Sequence, residues 1–142
     1  MSFERAITTE ANVLAFAPVV QTTSDAVDME LLNAFEELQA DDGSDLIVEL
    51  IDLYLADAPQ RIIAIREALA TSQWVTLKRA AHNLKGSSGN LGVRLVAEIC
   101  EKLERLVGPG SMAGAGDLVQ LLQSQFDRAR ETLAAQRRLR CE

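Results

Sequence analysis

Histidine occurs once in this sequence, at position 82, and cysteine twice, at positions 100 and 141. So few soft ligands, at that spacing, argue against a structural zinc site and give no disulfide framework. Cys100 falls in a helical pattern and reads as a small buried hydrophobe, Cys141 lies in a tail expected to fray, and a reducing cytoplasm fits both. Long apolar runs are missing too. The segment Val13-Leu14-Ala15-Phe16-Ala17 is cut by Pro18 and cannot span a bilayer, and Glu4 beside Arg5 spoils a signal-peptide start. No alternating strand pattern is present. The glycine-rich stretch Gly108 to Gly116 lacks the Gly-Lys-Ser/Thr ending of a phosphate-cradling loop and reads as a flexible connection. An isoelectric point near 4.7 argues against nucleic acid as the main partner.

What is present is helical periodicity. The 142 residues are 48% hydrophobic and only 4% aromatic, which suits one domain packed by Leu, Ile, Val and Ala. A first helix is expected from near Asp28 to about Ala40, with Ser24 or Asp25 as upstream caps, Leu31, Phe35 and Leu38 on its stripe, and Met29 and Leu32 to one side. Asp41-Asp42-Gly43-Ser44 reads as a turn, and Ser44 or Asp45 can cap a long second helix. That helix carries Ile47, Leu50, Ile51, Tyr54, Leu55, Ala58, Ile62, Ile65 and Leu69 through a kink at Pro59. Thr71-Ser72 ends it and is expected to cap a third helix entered at Trp74, a packing anchor. Leu95, Ile99, Cys100, Leu103, Leu106 and Val107 mark a fourth. Asp117 can cap a fifth, with Leu118, Leu121, Leu122, Phe126, Ala129 and Leu133 on its apolar face. The expected fold is all-α, an antiparallel four-helix bundle with an additional N-terminal helical segment. Residues 1–24 are read as a partly ordered extension and residues 25–140 as the bundle domain. The initial Met and the absence of flanking domains suggest a free-standing protein.

The third helix carries the chemistry. Leu77, Ala80, Ala81, Leu84, Ser88 and Leu91 keep the spacing of a buried stripe. At about 100° per residue, His82 points roughly 150° away from that stripe, toward a face with Lys78, Arg79, Lys85, Gly86 and Gly89. The histidine is therefore expected in solvent. Each glycine costs about 1 kcal/mol relative to Ala in a helix, so the face needs a reason for them; bare backbone one turn from a side chain lets a partner come close. Lys85 lies on the next turn, where its ammonium can meet an anion on the imidazole. A nucleophilic imidazole must be neutral, and neighbouring cations disfavour imidazolium before phosphorylation and attract the phosphoryl group afterwards.

The run His82-Asn83-Leu84-Lys85-Gly86-Ser87-Ser88, followed by Leu91-Gly92, closely resembles the signature of the histidine-containing phosphotransfer (HPt) domains of bacterial phosphorelays. The looser likeness runs from about Asp28 to near Arg138. The resemblance implies a helical bundle in which His82 accepts and donates the phosphoryl group, Lys85 supports its oxygens and Gly86 clears space. Lys78, Arg79 and Gly89 join as docking residues, and Met29 and Leu32 as an apolar patch if they are exposed beside His82.

The implied partners are response-regulator receiver domains and a hybrid sensor histidine kinase, with Mg²⁺ supplied by the receiver and no cofactor of the chain's own. With no nucleotide loop, no acidic metal cluster and no second general base fixed beside His82, the chain is expected to be a cytoplasmic, monomeric phosphocarrier and not a kinase. Two other readings stay open: a chemotaxis-kinase-type phosphoacceptor domain, and a non-catalytic adaptor. Charge is also lopsided. Residues 1–73 hold 14 acidic and 3 basic side chains, residues 74–142 hold 7 acidic and 11 basic. The positive half contains His82 and would attract an acidic partner pocket. Arg137, Arg138 and Arg140 are read as an ordinary solvated face.

Overall fold

A computed structural model describes residues 26–38 and 46–141. Five helices follow in chain order: α1 (Met29–Leu38), α2 (Leu46–Ala70), α3 (Trp74–Asn90), α4 (Arg94–Leu106) and α5 (Ala115–Cys141). No strand occurs among the described residues. The fold is all-α: α2, α3, α4 and α5 pack in cyclic order as a four-helix bundle, and of these helices α1 packs on α2. Residues 1–24, the caps proposed at Ser24, Asp25, Ser44 and Asp45, the 41–44 turn and the side chains of Phe35, Leu38 and Cys141 lie outside the described residues.

Period 3.6 explains the bundle. On α2, Ile47, Ile51, Tyr54, Ala58, Ile62, Ile65 and Ala68 are buried along one stripe, and the helix continues unbroken past Pro59. Arg137 pairs with Asp52 at 2.5 Å and Arg66 donates to Gln123 at 2.8 Å, ties that fix α2 and α5 antiparallel. Within the core, the Tyr54 and Phe126 rings meet at 6.0 Å. The Tyr54 hydroxyl lies 2.7 Å from Ser88 Oγ, so the buried hydroxyl of α3 is satisfied by α2. That bond sets the register of α3, and hence where His82 stands.

Several positions differ from the periodic reading. Leu32 is fully buried and joins the core, whereas Leu106 and Leu121 are exposed and Leu95 is half-buried. Val96 and Val119 fill those places. A wide apolar stripe leaves its edges ambiguous, and the neighbouring helix decides which edge is covered.

Thr71 and Ser72 end α2 without capping α3. The Thr71 hydroxyl donates to Glu67 O at 2.8 Å, Ser72 adopts φ +56°, and Gln73 N–H returns to Ala68 O at 2.8 Å. Gln73 is the residue before α3 and makes no side-chain cap. The 108–114 connection is a closed turn, with Gly108 and Ser111 exchanging two 3.0 Å backbone bonds and Met112 packed on the core. Helix α5 starts at Ala115, which leaves Asp117 inside its first turn.

The start of α1 is pinned to the α3–α4 turn. Asp28 Oδ1 accepts from the Glu30 and Leu31 amides at 3.0 and 3.3 Å, an N-cap, while Oδ2 pairs with Arg94. Its own amide donates to Gly92 O at 2.7 Å. Gly92 has φ +82°, and a Cβ there would sit 3.2 Å from Asp28, so glycine serves both the turn and the close approach.

Candidate functional site

Burial of Leu77, Ala80, Ala81, Leu84 and Ser88 rotates α3 so that His82 faces outward, with 65% of its side chain exposed. An incoming group can reach it directly. Gly86 and Gly89 share this face, and a Cβ added at either would meet nothing within 4 Å. No packing inside the described chain calls for these glycines. Arg79 is exposed. Lys78 is half-buried, its ammonium 5.8 Å above the Trp74 ring. Val75, two turns before His82 on the same face, is 49% exposed and extends the surface with an apolar side chain.

Leu32 does not reach this surface, because it is enclosed in the core. Met29 is half-buried and packs against the same core. The apolar patch expected from these two is therefore not formed by Leu32; α1 turns that residue inward against α2.

The structure adds a residue that the motif does not contain. Glu104, on α4, places Oε2 2.9 Å from His82 Nδ1 and Oε1 2.8 Å from Lys85 Nζ. One carboxylate thus joins the histidine to the lysine, and the expectation that no fixed base stands beside His82 is corrected. Burial pushes the Glu104 carboxyl up, but the hydrogen bonds and charges of Lys85 and His82 outweigh this and hold it below the ordinary glutamate value. The hydrogen bond to Glu104 likewise raises Lys85 above the ordinary lysine value. Both are charged at neutral pH.

An ionised carboxylate can only accept, so in the neutral form of the ring Nδ1 carries the proton and Nε2 keeps its lone pair. Nε2 is then the ring nitrogen open to an incoming group. The closest charge to the imidazole is negative, not one of the cations expected from the sequence. Spacing within α3 could not have revealed Glu104, which lies 22 residues away on another helix. Its only sequence trace is position: it follows the buried Leu103 and points to the α3 side of α4.

Among the described residues, no group of three or more His, Cys, Asp or Glu side chains is placed to hold a metal ion. Below the site, Cys100 is fully enclosed. Burial, with the Glu104 charge adding to it, pushes its thiol up to about 12, so it is an inert packing group.

Comparison with known proteins decides the family. The family model described as the Hpt domain matches residues 49–132, more than half of the chain and a span that includes all of α3 and α4. The chain belongs to the Hpt domain family. Among solved structures, the crystal structure of histidine-containing phosphotransfer protein B (HptB) from Pseudomonas aeruginosa PAO1 superposes with a TM-score of 0.72 at 25% identity, covering 82% of this chain and 97% of that one. No curated protein matches. The chain is thus a histidine phosphotransfer protein of the phosphorelay type. No helix among the described residues is long and apolar enough to cross a membrane.

Proposed function

We propose that this Hpt protein carries the phosphoryl group on His82 Nε2, taking it from a receiver-domain aspartate and passing it to another. The observation that carries the reading is the pairing of an exposed imidazole with a fixed carboxylate at Nδ1. In the forward step, Nε2 attacks phosphorus, the aspartyl O–P bond breaks as the Nε2–P bond forms, and the proton stays on Nδ1 against Glu104. Lys85 then balances the phosphoryl oxygens, and the open backbone at Gly86 and Gly89 admits the partner's acidic pocket.

Arg79, Lys78 and Val75 extend the docking face, and Met29 is a candidate at its margin. The receiver supplies Mg²⁺, and the chain needs no cofactor of its own. A hybrid sensor kinase supplies the phosphoryl group at the head of the relay; the protein acts as a cytoplasmic monomer. On this reading the chain is a carrier with no ATP-dependent kinase activity of its own.

The test is transfer from a phosphorylated receiver domain to wild type and to His82→Gln. Wild type should gain an acid-labile, base-stable label and His82→Gln none. Equal labelling of the two would remove His82 from the mechanism. Receiver binding that survives His82→Ala, with wild type never labelled, would support an adaptor instead.

A further inference from the structure

The position of Lys85 raises a question of supply. Before phosphorylation its ammonium is already engaged, 2.8 Å from Glu104 Oε1, an oxygen shielded from solvent. After phosphorylation the same ammonium, one turn along α3 from His82, is the cation we assign to the new phosphoryl oxygens. Its single positive charge is then shared between two anions, although its three N–H donors can reach both. We propose that Glu104 sets the transfer potential of phosphorylated His82 by competing with the phosphoryl group for Lys85, so that the phosphoryl group is held loosely enough to be passed on. This inference rests on His82 being the carrier.

The surrounding charges support the competition. Lys85 also lies in the field of Glu101, which reinforces Glu104, and of Arg105, which opposes it; Arg105 is itself tied to Glu101 at 2.5 Å. Glu104 attracts the positive charge that the ring gains on phosphorylation and repels the phosphoryl group, which carries more charge but lies farther across the ring. These two effects oppose each other, which leaves the ammonium to decide the balance. An ammonium drawn toward the phosphoryl oxygens gives up part of its pairing with Oε1, and one that stays on Oε1 gives up part of its support for them. With the two direct effects opposed, the loss of part of Lys85 raises the phosphorylated state relative to a site without Glu104.

Glu104→Gln isolates the effect. Glutamine keeps an oxygen acceptor for Nδ1–H, so the ring orientation survives, while the charge that holds Lys85 is removed. The equilibrium constant for transfer from a phosphorylated receiver domain to the chain would be measured for wild type, Glu104→Gln, Lys85→Ala and the double variant, each checked for helicity and melting. In Glu104→Gln it should rise about two- to fivefold, the range exposed ion pairs carry when read as an equilibrium constant. In the Lys85→Ala background the same change should do little, since there is no ammonium left to release. An unchanged or lowered constant in Glu104→Gln, or a rise that persists in the absence of Lys85, would overturn the competition. Wild type that takes no label would instead overturn the carrier reading itself.

Discussion

At the scale of single residues, the site is a set of short-range choices made around one imidazole. Glu104 fixes which nitrogen of the neutral ring holds the proton, Lys85 lies one turn away on the same carboxylate, and Gly86 leaves bare backbone beside them. Because nothing lies within 4 Å of a Cβ at position 86, Gly86→Ala should stabilise the fold by about 1 kcal/mol in a denaturant melt. Gly86→Gln should slow transfer from the receiver while leaving His82 intact, and an unaltered rate would remove the steric role. Stability and transfer would thus move in opposite directions, as expected where a glycine is kept for access. Cys100 gives a control within the same region. With its thiol pushed up to about 12 by burial, it should resist alkylation at pH 8 until the bundle unfolds, as peptide mapping would show.

Among the elements, α3 was legible from its stripe and motif, since the residues that bury it and those that serve chemistry lie at different phases of one helix. The edges of the other helices were not. Leu32, Leu106 and Leu121 sit at boundaries where the periodic pattern allows either side, and contact with a neighbour settles them. Glu104 was invisible for a related reason: its role depends on how α4 lies against α3, which spacing within one helix does not encode. The α1 junction is also a tertiary product. There, burial raises the Asp28 carboxyl, but the Arg94 bond and the Leu31 and Glu30 amides more than offset this and hold it below the ordinary aspartate value.

A depressed carboxylate stabilises the folded state above its unfolded value and loses that contribution as pH falls through the lower folded value. Attachment of α1 should therefore weaken below about pH 4, ahead of the bundle, and hydrogen exchange of the α1 amides would show it. Asp28→Ala should cost about 1 kcal/mol through the lost cap, and exchange in α1 should rise with it.

For the molecule as a whole, the family, the helical class and the outward face of His82 follow from patterns that the sequence displays openly, while the way charges pair across helices does not. The basic half of the chain is one example. Arg137, read as part of a solvated face, in fact ties α5 to Asp52 of α2. Arg79 remains exposed beside His82, and Lys78 leans on Trp74. Association with a receiver should slow as salt rises from low to physiological ionic strength, where screening reaches about 8 Å. Arg79→Ala should lower the association rate by a few-fold with little change in dissociation. A rate insensitive to both salt and Arg79 would remove charge from the docking process.

The most direct test of the central claim uses the fact that the chain has one histidine. Nitrogen NMR on protein labelled at the imidazole should show the Nδ1–H form before transfer and, after transfer from a phosphorylated receiver, coupling of phosphorus to Nε2. An imidazole spectrum that does not change while the protein takes up label, or phosphorus on Nδ1, would contradict the account.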